Sequence, residues 1–268
     1  MEARIDLLSD KLKRLRKIDR NFVVFGASGH RYKTKPWSQS DIEQLSQKAG
    51  VELPADLRLW LLSVGSGAGP NYDLKPCYTE PLIGMPHKDE FHGTFDQLTD
   101  VRLEDMQGLM DEVFSQTPDK EGFFEVPMIT TRAEGGGAGL LSLGFAGCSY
   151  DYVMPLRGEL RGKIFYRTEE TIDDEGNEYG SVLWPQGFCS IFPSHHFKRD
   201  AKPTYRRNAS ELFSFLDWME YWLDSSIYFV EHYDEYERQM NDWREEHLGW
   251  RDKPPNLLTR MMRRFRLR

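Results

Sequence analysis

The 268-residue sequence predicts an α+β fold: a mainly antiparallel sheet with helices packed around it, an acidic insertion and a helical C-terminal extension. The strand signals lie in the middle. PMITT (127–131), LLSLGFA (140–146), DYVMPL (151–156) and KIFYRT (163–168) are short apolar runs divided by EGGGAG, GCS and RGELRG turns, a spacing that implies antiparallel pairing. Helical three- and four-residue apolar periods flank them. With 39% hydrophobic and 13% aromatic residues there is material for a sizeable core, which excludes wholesale disorder.

In chain order, Ile5, Leu8, Leu12, Leu15 and Ile18 mark an amphipathic helix over 3–19. FVVF (22–25) reads as a short strand and GASGHRYKTKP as a loop. Ser40 and Glu43 have capping-box spacing and open a helix carrying Ile42, Leu45 and Ala49, with Gly50 as its stop. Pro54 opens another, with Leu57, Trp60, Leu61 and Val64 on its apolar face. GSGAGPNYDLKP is a long turn. Met106, Leu109, Met110 and Val113 suggest a helix inside the irregular stretch 80–125, and VLWP (182–185) adds a strand. Residues 210–247 keep a helical period too long for one rod in a domain of this size, so a break is expected near Ser225–Ser226. On these apolar stripes Trp60, Trp218 and Trp222 are core residues rather than contact residues.

The net charge of −8 is unevenly spread. Residues 80–125 hold twelve acidic and three basic side chains, 211–247 eleven and two, and EETIDDEGNE (169–178) six and none. The ends are basic, with seven basic and four acidic groups over 1–20 and seven and one over 248–268. An acidic chain is repelled by phosphate backbones, so no nucleic-acid partner is expected and a basic one is favoured. There is no 18-residue apolar run, which argues against a membrane-spanning helix. The charged N-terminal segment lacks the apolar stretch of a signal peptide, and a cytoplasmic protein is expected. The stripe Leu257, Leu258, Met261, Met262 and Phe265 beside four arginines admits two readings: a helix docked on the acidic 211–247 region, or one that meets a membrane surface or nucleic acid.

Catalytic and cofactor motifs are missing. GASGH is not G-x-S-x-G, and EGGGAG lacks the Gly-Lys-Ser/Thr ending of a phosphate loop and precedes a strand. The seven histidines have no zinc-binding spacing, and Cys77, Cys148 and Cys189 form no CxxC pair, so buried free thiols are expected. Paired carboxylates such as Asp173 and Asp174 lie in a polar hairpin without the apolar wall that raises a catalytic pKa. The chain is expected to be no enzyme and to need no metal or cofactor.

Several segments together resemble the SUKH superfamily, whose type members include a yeast cell-wall regulator. DIEQLSQKAGVELPADLRLWLLSVGSGAG (41–69) is similar to the opening of these domains, with Leu53, Pro54, Asp56, Arg58, Trp60, Leu61 and Gly65 in the signature places. FVVFGASGHRYKTKP is similar to the lead-in of a bacterial subgroup. LLSLGFAGCSYDYVMPLRGELRGKIFY looks like the middle, with turns at Gly147–Cys148, Gly158 and Gly162. FSFLDWMEYWLDSSI (213–227) resembles the closing helix. The match covers residues 20–80 and 125–227, so the chain divides into an N-terminal helix (1–20), a SUKH-like domain (21–227) with an acidic insertion at about 80–125 that is longer than the family's usual connection, and a helical extension with a basic tail (228–268) beyond its usual end. It also implies an immunity protein that binds and blocks a cognate interbacterial toxin, often a nuclease, deaminase or other nucleic-acid-directed enzyme. A scaffold module of cell-envelope regulation is the alternative. As the toxin-contacting surface, the reading singles out Glu169, Glu170, Asp173, Asp174, Glu175 and Glu178.

Overall fold

A computed structural model describes residues 1–78, 94–95, 129–131, 140–147, 150–168, 171–172, 178–179, 182–185 and 212–248. Helix α1 (Glu2–Ile18) buries Ile5, Leu8, Leu12 and Leu15, the periodic residues of its sequence. Helix α2 (Ala27–His30) is a single turn. Helix α3 (Gln39–Ala49) buries Ile42, Leu45 and Ala49 and stops at Gly50, in the left-handed conformation. Its cap is Ser38 rather than Ser40. The Asp41 amide donates to the Ser38 hydroxyl at 3.2 Å, and the Ser38 amide donates back to the Asp41 carboxylate at 2.8 Å. Helix α4 (Ala55–Ser63) has Pro54 as its N-cap, one residue before its first turn.

FVVF is not a strand: residues 22 and 23 are irregular, and 24 and 25 lie in a bend and a turn. The next segment, expected as loop, holds α2 and strand β1 (Thr34–Lys35), which pairs with β2 (Ser66–Gly67) inside the expected long turn. The main sheet combines β3 (Cys77–Tyr78), β4 (Thr94–Phe95), β5 (Ile129–Thr131), β6 (Leu140–Gly147), β7 (Tyr150–Pro155), β8 (Phe165–Thr168) and β11 (Val182–Pro185) in the order β3-β6-β7-β8-β11-β5-β4. Its pairs are antiparallel, as the spacing implied, except β4 with β5, which run parallel. Strand β4 belongs to the 80–125 stretch; the helix expected around Met106–Val113 lies outside the described residues, as do Cys148, Cys189 and the basic tail. Strands β9 (Thr171–Ile172) and β10 (Glu178–Tyr179) form a separate antiparallel pair.

Alternation along the strands sends Leu141, Leu143, Tyr152 and Met154 into the core shared with the helices, where Ile164, just before β8, joins them. Helix α5 (Phe215–Glu231) lies on that face, with the Tyr152 and Trp218 rings 4.8 Å apart. Trp60, Trp218 and Trp222 are fully buried, as their stripes predicted. Their indole N–H groups meet no acceptor among the described residues, and they contribute by buried area and shape. The other face carries Val153, Phe165 and a cross-strand ion pair. Arg167, 2% exposed, donates from Nε and Nη2 to the two Asp151 oxygens at 2.9 and 3.0 Å.

The C-terminal helical region does break, but at His232 rather than at Ser225–Ser226. Ser226 is fully buried inside α5, whereas His232 leaves helical geometry (φ −113°, ψ 16°) and stacks on Tyr228 before α6 (Tyr233–Leu248) begins. Serine is tolerated within a helix whose face is packed; the turn is set where packing of α5 ends.

Helix α1 is fastened to α5 by charge. Arg4 donates to Asp217 at 2.7 Å and to Glu220 at 2.6 Å, Lys11 reaches Glu220 at 3.2 Å and Asp224 at 2.7 Å, and Arg14 pairs with Glu231. Glu220 thus bridges two cations at positions largely screened from water. Glu220→Ala is expected to cost about 1–2 kcal/mol in chemical denaturation. Lys13→Ala, whose partner Asp10 is as exposed as Lys13 itself, should leave the midpoint unchanged.

Candidate functional site

The site begins where α1 ends. Asp19 is 1% exposed, and a carboxylate so buried must be satisfied locally. It accepts hydrogen bonds from the Val23 amide at 2.8 Å, the Val24 amide at 3.2 Å and the Tyr32 hydroxyl. Those amides turn inward to a side chain, which is why an apolar, β-prone segment does not enter a sheet. The return of Tyr32 to Asp19 coils the chain tightly. Phe22, Arg31 and Tyr32 all adopt left-handed backbone, with φ of 53°, 50° and 56°. Each such non-glycine residue stores about 1–3 kcal/mol of strain.

Inside this coil His30 accepts the Tyr32 amide on Nδ1 at 3.0 Å. The neutral ring therefore carries its proton on Nε2, which is buried without a partner among the described residues, and the ring lies edge-on to Trp222 at 6.1 Å. Burial holds the His30 pKa down to about 4, against the opposing pull of Asp19, and pushes the Tyr32 hydroxyl upward.

Two further segments meet the coil. Asn71, also left-handed (φ 59°) and buried, donates from Nδ2 to the Tyr152 hydroxyl at 3.0 Å and to the Ala146 carbonyl at 3.3 Å. A Cβ on Gly26 would stand 1.6 Å from the Asn71 carbonyl oxygen, and one on Gly144 would stand 2.1 Å from that of Asp73. Only glycine permits these backbone-to-backbone contacts.

Each locked position has an aromatic neighbour in sequence: Phe25 before Gly26, Tyr72 after Asn71, Phe145 after Gly144. These three rings face solvent, 52%, 43% and 51% exposed, and touch one another. Phe25 and Tyr72 meet edge-to-face at 5.3 Å, and Tyr72 stacks on Phe145 at 5.6 Å. The result is an apolar cluster held in water by a buried, strained frame.

None of these rings was singled out from sequence. Phe145 sits two residues after the inward-facing Leu143, where a regular strand would bury it. The register of β6 against β7 shifts between Ser142 and Gly144, and the bulge turns Phe145 outward. The one sequence signal was Gly144 inside an otherwise apolar strand.

Of the acidic residues singled out from sequence, Glu178 lies on β10, its Cα opposite Ile172 of β9. Glu169, Glu170, Asp173, Asp174 and Glu175 fall outside the described residues. Among the other acidic runs, Asp217, Glu220, Asp224 and Glu231 are engaged with α1, while Asp234 and Glu235 of α6 are exposed. Away from the aromatic corner, a cleft of about 440 Å³ lies between α3 and strands β1 to β3, lined by Lys35, Trp37, Gln44, Lys48 and Cys77. Its Asp41 is committed to the α3 cap and its Ser66 hydroxyl accepts the Trp37 indole N–H at 2.9 Å, which leaves lysine ammonium groups as its main charge. Cys77 is exposed there, contrary to the expectation of a buried thiol, because it sits on the edge strand of the sheet.

No family model, no curated protein and no solved structure matches the chain. Among the described residues no helix is long and apolar enough to cross a membrane.

The His30 environment makes stability depend on pH. The unfolded chain binds a proton at His30 near pH 6.5, whereas the folded chain resists it down to about 4. Stability is therefore full above that window and falls as pH drops through it, by on the order of 2 kcal/mol. Urea denaturation between pH 7.5 and pH 4.5 is expected to show this loss, and His30→Gln to flatten it.

Proposed function

We propose that the protein is a non-enzymatic immunity protein that binds and neutralises a cognate interbacterial toxin in the cytoplasm, the toxin being a basic, nucleic-acid-directed domain. The observation that carries the binding role is the Phe25–Tyr72–Phe145 cluster. Large rings exposed together on rigid backbone lose little freedom when a partner covers them, and aromatic residues dominate the energetic centres of protein interfaces. The SUKH resemblance of the sequence supplies the toxin class. The net charge of −8 supports the basic partner: a negative surface attracts a domain whose own surface is adapted to phosphate and speeds encounter.

In this reading the rings and the acidic 169–178 segment divide the work. The rings hold the complex together and slow dissociation. The carboxylates of the 169–178 segment act at longer range and speed association.

Co-expression with a basic toxin domain encoded beside the chain's gene is expected to restore growth. The Tyr72→Ala/Phe145→Ala double variant should fold, as circular dichroism will show, yet lose protection. A chain that rescues no toxin but captures several weak partners would instead be a scaffold module. Neutralising Glu169, Glu170, Asp173, Asp174 and Glu175 together is expected to slow association roughly tenfold at low salt and to flatten its salt dependence in stopped-flow mixing, with dissociation little changed.

A further inference from the structure

We infer that the Phe25–Tyr72–Phe145 cluster, with the carboxylate of Asp73, is a receptor for an arginine side chain of the partner. The inference rests on the reading of the chain as a binder of a basic protein, and names the chemistry of that contact. Asp73 directly follows Tyr72, and one of its carboxylate oxygens lies 3.7 Å from where a Cβ on Gly144 would stand, at the root of Phe145. It has no ion-pair partner among the described residues. A carboxylate with no counter-ion among the described residues thus follows, in the chain, one of three exposed and touching rings.

That combination suits a cation with an apolar, planar surface. Aromatic faces attract cations through their quadrupole, and the guanidinium group is weakly hydrated, flat enough to stack and able to donate to a carboxylate from its edge. A purely apolar partner would leave the Asp73 charge desolvated without compensation. The same corner already contains the interaction in miniature: the Arg31 guanidinium carbon lies 6.0 Å from the centroid of Phe22. Arg31 covers that ring and leaves the outward three free. Lys75, two residues beyond Asp73, is exposed and carries the wrong charge for this role, which makes it a useful neighbour to remove.

The receptor is tested on the full chain by NMR titration with three probes: acetyl-arginine methyl ester, its lysine counterpart, and the citrulline counterpart, which keeps the arginine shape without charge. The arginine probe is expected to shift the amides of Phe25, Tyr72, Asp73 and Phe145, and to bind more tightly than lysine and at least several-fold more tightly than citrulline. Phe145→Leu, which keeps apolar area but removes the ring, should weaken arginine binding roughly two- to fivefold. Asp73→Asn should weaken it further, and Lys75→Ala should strengthen it. Equal binding of arginine and citrulline, shifts confined to other surfaces, or no shifts at all would overturn the receptor.

Growth protection by the same variants separates this claim from the one beneath it. If the wild-type chain protects against a toxin and Asp73→Asn and Phe145→Leu protect equally well, the receptor has no role and the immunity reading stands. If the arginine probe binds as expected and the chain protects against no toxin, the immunity reading falls and the receptor stands.

Discussion

A single buried carboxylate organises one corner of this protein. Asp19 ends α1 inside the core, and a charge in that position must be met by donors close at hand. Two backbone amides four and five residues on and one tyrosine hydroxyl thirteen residues on supply them. The chain between is forced to coil, and the coil carries Gly26 against the backbone of Asn71. The aromatic display at the far side is therefore a distant result of satisfying one side chain. The strain at Phe22, Arg31 and Tyr32 is the cost of that route.

The parts of the fold that sequence made legible are those in which burial repeats with the period of the element. Leu8, Leu12 and Leu15 of α1, Leu57 and Leu61 of α4, and the tryptophans of α5 are all buried at the expected spacing. Strands β6, β7, β8 and β11 were legible for the same reason. What was not legible depends on contacts between residues remote in the chain. FVVF has strand composition, yet its amides are claimed by Asp19. Ser38 and Ser40 both have capping-box spacing, and the choice falls to the residue that follows Trp37, whose indole is tied to Ser66. The three surface rings lie at positions 25, 72 and 145, which no local pattern connects; a bulge and two close backbone contacts bring them together.

Charge counted along a sequence is likewise not charge on a surface. The run over 211–247 is strongly acidic, yet Asp217, Glu220, Asp224 and Glu231 face the cations of α1 across a helix–helix contact and leave little field outside. The basic N-terminal helix and this acidic run are two halves of one internal seam. Among the described residues, acidity also reaches solvent along α6, where Asp234, Glu235, Asp242 and Glu245 are exposed.

That seam also joins the start of the chain to its last quarter: the paired side chains are 209 to 217 positions apart in sequence. During synthesis the apolar stripe of α1 leaves the ribosome before its partner helix, which arrives only after the strands of the main sheet have been made. Until then Leu8, Leu12 and Leu15 have no α5 to cover them. The charges along α1 therefore serve twice: in the nascent chain they keep an orphan helix in water, and in the finished protein they become the fastening that closes it.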